Sequence, residues 1–302
     1  MDRLVIVGIL PKKCNTLKGN TYLCQSCSFD AMVCRAWRTK GKPAKIEKNA
    51  KHPGDLVRVD QLMSSRPGIV PRISNRYTRD QISCATCFYD TFSRYSYSRL
   101  QRITTGEETL SAKEAFEREA HSNGNIITHY RVDNGRFAKK TFQDHVDTYI
   151  QIMDLCGVNA HHINGLVERR IRTLSTGTRT ILLYAMRIWT KIIGTLLWPF
   201  ALKVYENTLN SNDLDSALKL PAMKFAKCET LPLVENKYTF GCPVYVLKID
   251  LQTVESQILK WDHRAHLGIY LGHLPCHVGS ITLVINPRTL HVSPQFYVVL
   301  AM

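Results

Sequence analysis

Apolar and polar positions change period several times along this chain, and each change predicts an element. After a Pro53-Gly54 turn, residues 56–60 alternate as a short strand ending on Asp60. Residues 64–80 are rich in Ser, Arg, Pro and Gly and predict a loop. A second strand over 82–89 reaches Asp90, turns through Thr91-Phe92-Ser93, and returns over 95–100 as an antiparallel meander. A helix follows, with Ser111 and Glu114 spaced as a capping box, Ala112, Ala115, Phe116 and Ala120 on one side, and Asn123-Gly124 as its stop. Ile126, Ile127, Tyr130 and Val132 lead a fourth strand to Asp133, which meets an Asn134-Gly135 turn. A helical stretch at 137–149, a short strand at 152–158, a long helix from Gly165 and another over 196–209 come next. Past a polar stretch at 210–220, alternation returns at 240–247, 266–271, 280–286 and 292–299, which predicts a small β domain.

The order of elements predicts an α/β fold with a β-rich C-terminal part. We divide the chain into a basic N-terminal segment at 1–51, a core at 52–212 and a β domain at 213–302. At 302 residues it is long enough for one or two cores.

Charge narrows the function classes. The net +15 favours a polyanionic partner, nucleic acid or an acidic membrane surface. The run at 4–10 is short and lacks a small-residue cleavage site, and 192–201 falls well short of the ~18 apolar residues of a membrane span. The expected protein is soluble, with nucleic acid and not membrane as its partner. Ten cysteines without a secretory segment suggest a reducing compartment. Cys24 and Cys27 have half of a zinc-site spacing, against the four ligands a structural zinc needs. Cys84 and Cys87 read as core thiols. Residues 31–51 carry seven Lys or Arg against Glu47; Arg38, Lys40 and Lys42 there belong either to a solvated linker or to an arm that tracks phosphates.

The long helix is basic too. Between 164 and 191 it carries six Lys or Arg and one acid, Glu168, and Arg169, Arg170, Arg172 and Arg179 are candidate DNA contacts. A strand-end Asp is commonly a turn former, and a first-turn Glu commonly complements the helix dipole. Asp60, Asp133 and Glu168 together, in a chain this basic, carry a second reading. Adjacent first and fourth strands would bring both aspartates to one sheet edge, and the helix would add the glutamate. Three such carboxylates would hold two Mg²⁺ or Mn²⁺ about 3.5–4 Å apart for phosphodiester chemistry. His161 and His162 read as loop residues, and no nucleophile has a partnered base.

Here a family becomes recognisable. Val132-Asp133-Asn134-Gly135, the run His161-His162-Ile163-Asn164-Gly165-Leu166-Val167-Glu168-Arg169-Arg170 and the 34 residues between the two acids resemble the integrase core of copia-type LTR retrotransposon polyproteins. Pro53 to Asp60, Asp90 to Ser93, Leu197 to Ala201, Phe240 to Tyr245, Leu267 to Gly272 and Cys24-x-x-Cys27 with Trp37 to Gly41 fit in the same order. The resemblance implies a ribonuclease-H-like mixed five-stranded sheet flanked by helices. It implies that Asp60, Asp133 and Glu168 are the metal-binding catalytic acids of an integrase that processes cDNA 3′ ends and joins them to target DNA. It further implies a homo-oligomer, DNA as partner, and a nuclear location with a cytoplasmic particle stage. The sequence departs from the family at the zinc module, whose His pair is missing upstream of Cys24 and Cys27, and at Ile163, where the family has Gln. A DNA-binding remnant without strand-transfer activity is the alternative.

Overall fold

In a computed structural model of the chain, residues 50–70, 81–133, 137, 140–156, 164–229, 238–252, 261–273 and 281–300 are described. The chain divides into two compact units that interleave along the sequence. One holds Met1–Ser65, Ser83–Thr176 and Glu206–Val234; the other holds Arg66–Ile82, Gly177–Tyr205 and Glu235–Met302.

The first sheet is built from β1 (Val57–Ile69), β2 (Gln81–Asp90), β3 (Ser96–Gln101), β4 (His129–Val132) and β5 (Ile152–Leu155), in the order β3-β2-β1-β4-β5. The β2 and β3 strands run antiparallel, whereas β4 is parallel to both β1 and β5. Helix α1 (Gly106–Ser122) joins β3 to β4, α2 (Lys140–Thr148) joins β4 to β5, and α3 (Gly165–Ile188) follows β5. This mixed five-stranded sheet with its helical crossovers is the ribonuclease-H-like fold that the resemblance implies. Parallel neighbours need such crossovers because no tight turn can return a chain to run in the same direction.

One face of the sheet makes the core. Val57, Val59, Tyr130 and Val132 alternate inward and meet Ala112, Phe116 and Ala120 of α1 and Phe142 and Val146 of α2. Phe88 stacks on Phe116 with ring centroids 4.7 Å apart. The turn before β1 ties this unit together. Gly54 N donates to Asp90 Oδ1 at 2.9 Å, Thr128 N donates to Gly54 O at 3.0 Å, and buried Asp90 also accepts from Ser93 N and Oγ. Gly54 sits at φ +92°, and a Cβ there would lie 2.3 Å from Ile126 O.

The structure differs from the sequence-based elements in a few places. The first strand does not stop at Asp60 but runs on through residues read as a loop. Gly68 lies where an added Cβ would come 2.3 Å from the Pro199 ring, and Trp198 Nε1 donates to Arg66 O at 3.1 Å, so tertiary contact overrides weak strand propensity. Helix α1 begins six residues earlier than Ser111 suggests. Thr105 is its N-cap and accepts from Glu108 N at 3.3 Å, a Thr-x-x-Glu box of the same type.

In the second unit, β6 (Pro243–Leu247), β7 (Ala265–His273), β8 (Thr282–Ile285), β9 (Val292–Gln295) and β10 (Val298–Leu300) form an antiparallel sheet in the order β10-β6-β7-β8-β9. Its core centres on Val244, Val246, Tyr270 and Val284. The stretch 292–299, expected as one strand, is two, because the chain bends at Phe296-Tyr297 and β10 crosses to pair with β6. Helix α4 (Trp198–Asn212) and the short α5 (Pro221–Phe225) complete the described helices. Among the described residues no helix is long and apolar enough to cross a membrane.

Replacing Gly54 with Ala should lower stability by roughly 2 kcal/mol or more, because the left-handed backbone and the Ile126 carbonyl both reject a Cβ. A urea melt should show a lower midpoint at unchanged slope; a midpoint equal to wild type would mean that the turn relaxes freely.

Candidate active site

Two of the predicted acids are set by strand register. In the parallel β1–β4 pair Val59 stands opposite Val132, and the next residue in each chain is an aspartate, Asp60 and Asp133. Parallel neighbours lie about 4.8 Å apart with equivalent side chains on one face. Since Val59 and Val132 point into the core, Asp60 and Asp133 emerge on the other face. Asp133 lies just past the end of β4, as expected, whereas Asp60 is the fourth residue of a thirteen-residue strand and not a strand end.

The third acid arrives on α3, where Glu168 is exposed in the first turn. Two side chains fix that turn. Buried Asn164 donates from Nδ2 to Val59 O at 3.2 Å, the carbonyl that precedes Asp60. Arg170 donates from Nε to Ser96 Oγ at 2.6 Å, from Nη2 to Arg94 O at 2.9 Å and from Nη1 to Asp213 Oδ2 at 3.2 Å, with Tyr89's ring 5.5 Å away. Asp213 is shared with Arg94 at 2.7 Å. The helix is thereby bonded to β1 on one side of Glu168 and to the β2–β3 turn on the other.

Electrostatics registers the convergence. The Asp60 carboxyl is pushed up to about 6, first by burial and then by the charges of Asp133 and Glu168, against a lowering bond from Gln61 N to Asp60 Oδ1 at 2.7 Å. Burial and two like charges penalise the ionised form, and a cation among these oxygens would remove that penalty, so the donor set fits a hard divalent ion. The spacing is open: among the described residues no three of His, Cys, Asp and Glu stand close enough together to ligate one metal.

Other predicted residues fall out differently. Arg169, Arg172 and Arg179 are exposed on α3. Glu168, Arg172 and Arg179, at offsets of four and eleven, lie within about 40° of one another around the helix. Arg170 leaves this group: its guanidinium is turned inward to Asp213, Ser96 and Arg94, so it acts as an anchor of the helix and not as a surface cation. Cys24, Cys27, Arg38, Lys40, Lys42, His161 and His162 lie outside the described residues. Cys84 and Cys87 are buried core thiols, as expected.

Sequence reasoning considered Cys156 only as a nucleophile without a partnered base, and did not place it beside the acids. Arg131 pairs in register with Asp154 and Val132 with Leu155, so Cys156 comes beside Asp133 in the row Asp60, Asp133, Cys156. Burial pushes its thiol up, with the charges of Asp133 and Asp154 adding to this and those of Arg131 and Arg58 opposing it. Its signal in the sequence was positional: one residue beyond a strand in register with Asp133. The anchoring role of Asn164 was also missed, because Asn-Gly reads first as a turn.

No protein-family model matches the chain, and no curated protein matches it. Solved structures do. The HTLV-2 integrase catalytic core domain in complex with magnesium, in its dimeric form, is 19% identical, covers 58% of this chain and 98% of its own, and gives a TM-score of 0.41. The simian T-cell lymphotropic virus intasome in complex with PP2A regulatory subunit B56 gamma is 17% identical over 84% of this chain and 81% of its own, with a TM-score of 0.45. The catalytic core domain of BIV integrase is 11% identical over 58% of this chain and 95% of its own, with a TM-score of 0.40. These likenesses concern fold, and the strand order described above defines that fold independently.

The shift at Asp60 fixes the sign of a pH effect. A carboxyl raised from 3.8 to about 6 in the folded state stabilises the fold in its protonated form; that contribution is complete below about pH 4 and lost as pH rises through about 6. Ionisation at pH 7.5 then costs on the order of 2–3 kcal/mol. Without divalent metal, Asp60→Asn should melt several degrees above wild type at pH 7.5 and level with it at pH 4. Adding Mn²⁺ at pH 7.5 should stabilise wild type more than the variant. Equal melting of the two proteins across this range would show that Asp60 is not strained by its neighbours.

Proposed function

We propose that this chain is a metal-dependent polynucleotidyl transferase of the retrotransposon-integrase type, acting on DNA ends. One observation carries the reading: the register that sets Asp60 beside Asp133 on a ribonuclease-H-like sheet, with Glu168 close enough to act on Asp60's ionisation. The resemblance to copia-type elements and the net charge of +15 support it.

In this reading Asp60, Asp133 and Glu168 hold Mg²⁺ or Mn²⁺, which when bound supplies Lewis-acid activation of the attacking hydroxyl and of the leaving oxygen. The chain's own groups do the rest. Asn164 and Arg170 keep Glu168 facing the two aspartates. Arg169, Arg172 and Arg179 meet the phosphates of the DNA, which places a phosphodiester along the helix face that bears Glu168. In the joining step the 3′-hydroxyl oxygen of a cDNA end forms a bond to phosphorus, the bond to the target strand's 3′ oxygen breaks, and the proton leaves the attacking hydroxyl for the departing oxygen through solvent. End processing is the same exchange with water as the nucleophile. The DNA substrate implies a nuclear site of action, and joining two cDNA ends implies more than one copy of the chain.

A second reading is a DNA-binding protein without strand transfer. The open spacing among described metal-ligating side chains favours it.

The deciding assay uses purified protein, a short duplex representing a cDNA end, a plasmid target and Mn²⁺ or Mg²⁺. Joined product should form with wild type and fall at least about 100-fold in Asp133→Asn and in Glu168→Gln. Cleavage without joining would make the protein a nuclease, and salt-sensitive binding without either product would make it the binding protein. Separately, the Arg172→Ala/Arg179→Ala double variant should weaken duplex binding uniformly across sequences and reduce the slope of log K against log[salt] by about 2. An unchanged slope would remove these arginines from the DNA interface.

A further inference from the structure

Arg170, the anchor of α3, meets three acceptors, and each of them is held in turn by another group. Ser96 is the first residue of β3, an edge strand, so one side of its backbone faces no neighbouring strand. Asn210, in the last turn of α4, stands in that place. It is 3% exposed; its Oδ1 accepts from Ser96 N at 2.9 Å and its Nδ2 donates to Ser96 O at 2.7 Å. One amide side chain thus supplies the two bonds that a further strand would supply, from 114 residues away in the sequence. Arg94 holds a left-handed backbone at φ +67°, and its guanidinium is tied to Asp213 at 2.7 Å. Asp213 follows the last residue of α4, and its N–H still bonds Leu209 O at 3.1 Å.

Three parts of the first unit thereby close a ring: α3 through Arg170, the β2–β3 turn through Arg94 and Ser96, and the end of α4 through Asn210 and Asp213. The ring controls rotation. Glu168 and Arg170 lie two residues apart, about 200° around the helix, so one faces solvent while the other faces the ring. Burial of Val167 and Leu174 is non-directional and opposes small rotations of α3 only weakly. A turn of about 10° moves a side-chain end, about 5–6 Å from the axis, by about 1 Å. Metal–ligand bonds keep their length to within about 0.2 Å. Hydrogen bonds to a planar guanidinium are directional, so an arginine held at three points resists the turn that apolar packing allows.

We propose that Asn210 and Asp213, at the end of α4, are positioning residues of the active site. Through Ser96 and Arg170 they fix the rotation of α3, and with it how tightly Glu168 shares a divalent cation with Asp60 and Asp133. This role presupposes that the three acids are metal ligands, as in the proposed function. A merely structural role has a different consequence: closing a sheet edge changes how much protein is folded, and not the metal affinity of the folded protein.

The test is Mn²⁺ binding by the full chain without DNA, read from the loss of the free Mn²⁺ signal in electron paramagnetic resonance. Ser96→Ala removes the hydroxyl acceptor and keeps both backbone bonds to Asn210. Asn210→Asp keeps the acceptor for Ser96 N and removes the donor to Ser96 O. Each should weaken Mn²⁺ binding at least about threefold. Strand transfer should then need more Mn²⁺ for half its maximal rate, and at saturating Mn²⁺ return to within about twofold of wild type. In a Glu168→Gln background Ser96→Ala should have no further effect on Mn²⁺ binding, because the ring acts through Glu168. Val146→Ala, which removes buried volume from α2, a helix with no bond in the ring, should bind Mn²⁺ as wild type does and controls for lost stability. Wild-type affinity in both Ser96→Ala and Asn210→Asp, an undiminished effect of Ser96→Ala beside Glu168→Gln, or an equal loss in Val146→Ala would overturn the positioning role and leave the metal site standing. A wild-type protein that binds no Mn²⁺ would remove the metal site itself, and this role with it.

Discussion

The parallel pairing of β1 with β4 is the constraint on which the rest of the first unit depends. Side chains alternate across a sheet with a period of two, so a slip of one residue would send Val57 and Val59 to the face that bears Arg58, and Asp60 into the core. Burial of Val57, Val59, Tyr130 and Val132 therefore selects one register, and that same register puts Asp60 beside Asp133. The hydrophobic effect on one face thus holds like charges together on the other. Neither aspartate needs a dedicated support, since the strands cannot move apart without exposing the core.

Helix α3 poses a different problem: buried Val167 and Leu174 seat its apolar face, but Glu168 itself is exposed. Its position is set by polar bonds on either side: Asn164 to the carbonyl of Val59, and Arg170 to Asp213, Ser96 and the Arg94 carbonyl. Arg170 meets three separate acceptors, which a lysine's single ammonium would not reach in the same geometry. Breaking such a pair leaves its partner poorly satisfied, so the anchor is costly to lose even where its net contribution is modest.

Much of this was legible in the sequence, for definable reasons. Alternating Val and Tyr positions marked β1 and β4 through the core face, and the Asn-Gly pair after Asp133 marked where β4 stops. The long period-3.6 pattern after Gly165 gave α3 its start, whereas the Ser111 box placed the start of α1 too late, since Thr105 caps it. What escaped was decided by distant residues. The extension of β1 through Pro67 and Gly68 depends on Trp198 and Pro199, more than a hundred residues away. The inward turn of Arg170 depends on Asp213, which no local pattern links to it. One helix holds four arginines that face water and one that does not, and composition alone treats all five alike.

Charge is segregated as well as abundant. The basic side chains of α3 run past Glu168, where a polyanion would neutralise them, while α1 and α2 on the core face of the sheet are acidic. A protein that were positive over its whole surface would bind any polyanion in any orientation, with its carboxylates facing the phosphates only by chance. A negative face on α1 and α2 raises the energy of the wrong encounters and leaves the α3 side as the favourable approach. The same segregation leaves one surface of the first unit to which a polyanion is not drawn.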